Sequence, residues 1–276
     1  MTNSVLVYGD QGVSLEYLEA AVESIQGCFP GVKVRRTSAA EIRAGGWEDS
    51  CLALVVPGGR DRPYCEDLST VGTDSVRSFV QNGGLYYGFC AGAYFASKNI
   101  VFEPGTENEI VESRPLNFFP GTARGSIVRP YRYNSTFGAA LVKIRVAGLE
   151  HGSENLETVL YSDGGCAFLT DDNDPRVDNV EVLASYSDPV LQRQGIHDRV
   201  AAVVRIRVEN GVVVLSGVHP EVSMKRIELW QSTRGSPVLP EQDAFGEASD
   251  LTQDTQRQHV LNYMFNDLGA RLSQIH

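Results

Sequence analysis

The chain lacks most of the signals that would tie it to a metal, a membrane or a nucleic acid. Its five cysteines, Cys28, Cys51, Cys65, Cys90 and Cys166, are odd in number and widely spaced. No CxxC pair occurs, so a zinc or redox motif is unsupported. The N-terminus has neither a basic stretch nor a long apolar run, and is read as neither a signal peptide nor a transmembrane segment. Basic residues are the minority: 24 Lys and Arg against 35 Asp and Glu give a net charge of −11. That balance repels phosphate backbones and anionic membranes, so no nucleic acid and no membrane is expected as a partner. Gly9-Asp10-Gln11-Gly12 lacks the GxGxxG spacing of a phosphate loop, and the acidic turn Asp171–Asp178 does not fit an EF-hand. No cofactor or metal is expected. The cytoplasm, with its thiols reduced, is the expected compartment.

What remains is an ordinary globular composition, 42% hydrophobic and 21% charged over 276 residues. That length holds one large α/β domain or two small ones. Val5–Tyr8, Val32–Arg36, Cys51–Val56 and Leu85–Phe89 read as strands, and the first, third and fourth end at Gly9, Pro57-Gly58-Gly59 and Cys90. Helices alternate with them. Leu15, Leu18, Val22 and Ile25 recur at helical spacing behind Ser14 as cap; Ala39–Ala44 and Asp74–Gln81 follow. This order predicts a doubly wound, mainly parallel α/β sheet whose sites gather at the carboxyl ends of its strands. From about residue 101 the pattern turns β-rich, with strands expected at Ala140–Val146, Thr158–Tyr161, Val180–Tyr186, Ala201–Val208 and Val212–Leu215. Asn210-Gly211 predicts a two-residue hairpin turn. Arg234–Asp250 reads as a polar surface loop, and Leu251–Leu272 as a helix packed on the sheet.

Two stretches carry chemistry. Leu85-Tyr-Tyr-Gly-Phe-Cys-Ala-Gly-Ala-Tyr94 places Cys90 in a strand–turn–helix frame with Gly88 and Gly92 on either side. That is the frame of a nucleophile elbow, where small neighbours let the chain turn sharply and the helix start favours the thiolate. The competing reading is a buried structural cysteine. Ser216-Gly-Val-His-Pro-Glu221 ends a strand with His219 two residues before Glu221, a base beside a carboxylate able to orient it. His151, His197 and His276 have no comparable setting. The backbone N–H groups of Ala91 and Gly59 are candidate oxyanion donors, though Pro57–Asp61 also reads as a plain turn. Gly58, Arg60, Asp61 and Tyr64 are candidates for the same mouth. Tyr161 and Asp163, in Tyr161-Ser-Asp-Gly-Gly165, line its rim or form a simple turn.

Taken together, Gly-x-Cys-x-Gly after a strand and a distant His-Pro-Glu resemble class I glutamine amidotransferase domains. The likeness is closer to one branch, the amidotransferase-like N-terminal domain of eukaryotic-type biotin–protein ligases. It is carried by Val5–Gly9, Val56–Cys65, Gly83–Tyr94, Arg114–Gly125, Tyr161–Gly165 and Ser216–Glu221, in that family's order. The resemblance implies a flavodoxin-like fold in a single domain, 1–276. In it, 1–100 bears the nucleophile, 101–225 bears His219 and Glu221, and 226–276 forms a loop and C-terminal helix. It implies a Cys90–His219–Glu221 triad with Gly59 and Ala91 at the oxyanion, acting by amide hydrolysis or acyl transfer on a small amide or carbonyl substrate. The alternative is a non-catalytic ligand-binding or regulatory module with a biotin-ligase-related partner. Tyr94 stands where glutamine-hydrolysing members usually carry Gln, which puts glutamine in doubt as substrate. No Gly-Arg-Gly-Arg and no Lys-Trp-Pro-Asn stretch occurs, so biotin ligation by this chain alone is not expected.

Overall fold

The computed structural model describes residues 3–135, 137–151, 154–187, 200–234 and 250–274. Strands β1 (Ser4–Tyr8), β2 (Lys33–Thr37), β3 (Cys51–Val56) and β4 (Leu85–Phe89) alternate with helices α1 (Leu15–Cys28), α2 (Ala39–Ala44) and α3 (Asp61–Gln81). Helix α4 (Ala91–Phe95) is a single turn or so. Then come β5 (Ser97–Phe102), β6 (Ile110–Ser113), β7 (Phe119–Gly125), β8 (Ala139–His151), β9 (Glu154–Asp163), β10 (Cys166–Thr170), β11 (Val180–Tyr186), β12 (Ala201–Val208) and β13 (Gly211–Ser216). Helices α5 (Met224–Arg234), α6 (Asp250–Met264) and α7 (Asn266–Leu272) close the chain.

The parallel part of the sheet runs β2-β1-β3-β4-β13. This is the flavodoxin order, with its fifth place taken by the last strand of the chain. Because β1 pairs with both β2 and β3, the helices that follow β1 and β3 pack on opposite faces of the sheet, and the loops leading to them lie side by side at the strand ends. Beyond β13 the sheet continues through antiparallel β12, which joins β10 and β11. The β10 branch continues through β7, β5 and β6; the β11 branch leads to the β8–β9 ribbon.

The strands bury both faces, as parallel strands between two helix layers must. Val5 and Val7 face one layer with Leu18, Ala21 and Ile25 of α1 and Val260, Leu261 and Phe265 of the C-terminal helices. Leu6 and Tyr8 face the other, with Ile42, Trp47, Val76 and Phe79. No helix among the described residues is long and apolar enough to cross a membrane.

Several expectations are corrected. Helix α3 begins at Asp61, not Asp74, and bends at Ser69, whose φ of 54° interrupts the helical run. Ser14 does not cap α1 through its side chain; its Oγ donates to Glu16 at 2.6 Å instead. Of the predicted stripe of α1, Leu18 and Ile25 are buried and Val22 packs beside them, but Leu15 is exposed, and Tyr17, Ala20 and Ala21 widen the buried face instead. The β12–β13 turn is Glu209-Asn210, with Gly211 already paired to Val208. The single C-terminal helix is two, broken at Phe265. His151 ends β8 rather than standing in a loop. Most of the predicted loop at 234–250, with His197 and His276, lies outside the described residues.

Candidate functional site

Cys90 sits where the chain turns from β4 into α4, at φ 47° and ψ −103°. A non-glycine residue held in such a conformation is strained, and strain of this kind is characteristic of nucleophile elbows. The flanking glycines permit it by close approach. A Cβ on Gly88 would meet the Gly92 carbonyl at 2.6 Å, and one on Gly92 would meet the Val56 carbonyl at 2.0 Å. The elbow is pinned by the Cys90 N–H, which donates to the Ser216 carbonyl of β13 at 2.8 Å. Its side chain is 5% exposed, and Sγ points toward the Asp163 carbonyl at 3.5 Å.

His219 follows β13 and is fully buried. Its Nδ1 lies 2.7 Å from Oε1 of the equally buried Glu221. The turn holding both is fixed from outside: Arg257 of α6 donates to the Pro220 carbonyl at 2.8 Å, and Ser24 of α1 to the Glu221 carbonyl at 2.8 Å. The ring of Tyr17 stacks on the imidazole at 4.1 Å, and Tyr161 tilts against it at 5.9 Å. Tyr17 Oη donates to Asp163 at 2.6 Å. Burial works against a charge on the imidazole, yet Glu221 and the neighbouring Cys90 sulfur together hold its pKa well above the ordinary value. Its Nε2 makes no hydrogen bond of ordinary geometry. The Cys90 sulfur is close enough to act on the charge of the imidazole although Nε2 lacks a well-formed hydrogen bond, a looseness common at unliganded sites.

Gly59 pairs with Val13 as an isolated bridge, through Arg60 N–H to the Gly12 carbonyl at 2.8 Å and Ser14 N–H to the Gly58 carbonyl at 3.1 Å. This fixes the loop after β3 against the loop after β1 and leaves the Gly59 N–H outside the bridge's own bonds. On the other side of Cys90, the N–H groups of Ala93 and Tyr94 are bonded to the Cys90 carbonyl, while that of Ala91 heads the helix.

A cleft of about 1010 Å³ opens over Cys90, with Gly59, Arg60 and Asp163 on its walls and the rings of Tyr17, Tyr131, Tyr133, Phe137 and Trp230 around it. Arg60 lies over the Tyr133 ring at 4.7 Å. A small annex of about 30 Å³ extends past Cys90, and Asp61, Ala91 and Tyr94 line it. Among the described residues no cluster of side chains could hold a metal ion.

Not every expected residue reaches the mouth. Tyr64 is fully buried, its hydroxyl against the carbonyls of Pro57 and Gly58 at 3.2 and 3.3 Å, so it supports the loop from behind. Gly58 is also behind the cleft; a Cβ there would meet His219 Cε1 at 2.8 Å. Tyr161 touches the histidine rather than the cleft. Tyr94 is locked, its hydroxyl shared between the carbonyls of Gly164 and Gly165 at 3.1 and 3.2 Å. Conversely, Tyr17, Trp230 and the Tyr131/Tyr133 pair carry no motif; only the alternation of the last two beside Pro130 hints at a wall. Trp230 lies on α5, whose apolar spacing is too sparse to mark it.

With this geometry in place, comparison with known proteins places the chain. The family described as "Biotin-protein ligase, N terminal" matches residues 3–276. The biotin–protein ligase of Schizosaccharomyces pombe is 32% identical over 271 residues, covering 98% of this chain but 38% of the ligase. An uncharacterized protein of Chlamydia muridarum is 35% identical over 221 residues, with 79% of this chain and 80% of its own length covered. A crystal structure of a glutamine amidotransferase shares the fold at a TM-score of 0.54 and 19% identity, over 96% of this chain and 100% of its own. The chain belongs to the biotin–protein ligase N-terminal family, on a glutamine-amidotransferase-like flavodoxin fold.

Proposed function

We propose that this chain is a cysteine-dependent hydrolase or acyl-transfer enzyme acting on an amide or other activated carbonyl. The observation that carries the reading is the buried His219–Glu221 pair, 2.7 Å apart, beside a cysteine held at φ 47°. Cys90 Sγ attacks the carbonyl carbon, and His219 takes the thiol proton and returns it to the leaving group. Glu221 accepts from Nδ1, so Nε2 is the nitrogen turned to the chemistry. The N–H groups of Gly59 and Ala91 receive the oxyanion. Water then releases the acyl group from the sulfur.

Selective alkylation tests this. Burial pushes the thiols of Cys65 and Cys51 up to about 11 and about 12, so neither competes at neutral pH. Iodoacetamide at pH 7 is expected to modify Cys90 well ahead of the other cysteines and faster than a free thiol, as read by peptide mass. His219→Gln should slow it by at least about tenfold. Reaction of Cys90 at the rate of an ordinary thiol, unchanged in His219→Gln, would refute the proposal.

One observation favours a second reading. Sγ lies 3.5 Å from the Asp163 carbonyl and Nε2 makes no hydrogen bond of ordinary geometry, which suits a site used for binding. In that case the cleft serves as a ligand-responsive module for a biotin-ligase-related partner, and Cys90→Ala would leave ligand affinity intact.

A further inference from the structure

We propose that the substrate divides at Cys90 into a short apolar acyl group and a bulky, ring-bearing leaving group, the reverse of glutamine. This rests on the acyl-transfer reading above and deepens it by naming the substrate class. In glutamine the leaving group is ammonia, and the acyl part carries five carbons with an ammonium and a carboxylate. The space around Cys90 is divided the other way.

The two sides of the sulfur can be told apart by what the chemistry requires of each. The leaving group must collect its proton from His219. His219 stacks under Tyr17, and Tyr17 lines the cleft but not the annex. The leaving group therefore occupies the cleft of about 1010 Å³, between the rings of Tyr17, Tyr131, Tyr133 and Trp230. The acyl chain then extends the opposite way, past Ala91 into the annex of about 30 Å³. By the same measure the annex is roughly one thirtieth of the cleft, so the acyl side of the sulfur is the cramped one.

Arg60, Tyr131, Tyr133 and Asp163 line both spaces at their common mouth, but the walls that belong to the annex alone offer a charged acyl group no partner. The far walls of the annex are Ile100, Phe102 and Ile110. Tyr94 turns its ring to Phe102 at 5.8 Å and has given its hydroxyl to two carbonyls. Asp61 is occupied by the buried Arg114, whose Nε donates to it at 2.5 Å. A short, uncharged acyl group suits this space; a glutamyl chain, with its ammonium and carboxylate, does not.

In the reaction, a bond forms from Cys90 Sγ to the acyl carbon and the bond from that carbon to the leaving atom breaks. The proton taken from the thiol by His219 leaves on the departing group. Water then attacks the thioester, giving one proton to His219, which returns it to the sulfur as the short carboxylic acid departs. The net change is addition of one water across the acyl bond.

p-Nitrophenyl acetate, butyrate and octanoate supply one ring-bearing leaving group with three chain lengths. Acylation of Cys90 in the full chain is read by intact mass, with nitrophenolate release above a Cys90→Ala background as the rate. Acetate is expected to acylate at least about tenfold faster than octanoate, since each misplaced methylene is worth about tenfold or more. Phe102→Ala should raise the octanoate-to-acetate ratio by about tenfold; Ile110→Ala, on a half-buried strand, serves if Phe102→Ala does not fold. Equal rates for all three esters, or a ratio unmoved by the opened annex, overturns the inference and leaves acyl transfer standing. Failure of every ester to acylate Cys90 defeats both.

Discussion

His219 is gripped from several directions: Glu221 at Nδ1, Tyr17 on one ring face, Tyr161 on its flank. Its raised pKa has a thermodynamic sign. A histidine that holds its proton more firmly folded than unfolded adds stability in full below its unfolded value of about 6.5, and loses it as pH climbs through the folded value. The melting temperature should therefore fall with pH above about 6.5, and more steeply than in His219→Gln. Glu221→Gln removes the carboxylate that favours the charge, so the imidazole should titrate at lower pH, as followed by NMR of its ring protons. Gly58→Ala pushes a methyl to 2.8 Å from His219 Cε1. It should cost about 1–3 kcal/mol by thermal unfolding and slow Cys90 alkylation further than that loss accounts for. The motif residues Cys90, His219 and Glu221 were readable because they follow apolar strands, with glycines two residues either side of Cys90 and Pro220 between the other two. Tyr17 and Trp230 were not, because their meeting at 5.7 Å joins α1 to α5 across more than two hundred residues.

Among elements, those with uniform apolar runs were legible almost to the residue. β3 and β4 span the expected Cys51–Val56 and Leu85–Phe89, since strands buried on both faces leave no polar position to blur them. β5, β6 and β10 had no strand of their own in that reading, and β7 showed only as β-like pieces: Ser97-Lys-Asn opens β5, and Pro120 and Gly121 interrupt β7. α3 was seen only in its second half, because its first half leads to Ser69 at φ 54° and ψ −170°, a conformation suited to glycine. Ser69 is exposed, so Ser69→Gly should relieve the bend and raise stability by about 1 kcal/mol, measured by denaturant midpoint. Failure to gain would mean the Thr73 hydroxyl, bonded to the Ser69 carbonyl at 2.7 Å, already compensates it.

For the molecule as a whole, the placing of β13 decides how the halves depend on each other. It lies parallel to β4 and antiparallel to β12, so the strand that leads to His219 completes the sheet that presents Cys90. Far-UV and near-UV circular dichroism should lose signal in one coincident transition on heating. Phe265, buried against Tyr87 and Phe89 at 4.8 and 6.4 Å, ties the C-terminal helices to the same sheet. Phe265→Ala should cost about 3–5 kcal/mol and shift that transition as a unit. The ring contacts around the cleft also make the protein optically self-reporting. Of its two tryptophans, Trp47 is sealed in the core beside Phe79, and Trp230 stands on the cleft wall. Trp47 is thus an internal standard, and any change in the emission of Trp230 relative to it signals arrival of a molecule over Cys90 without a label.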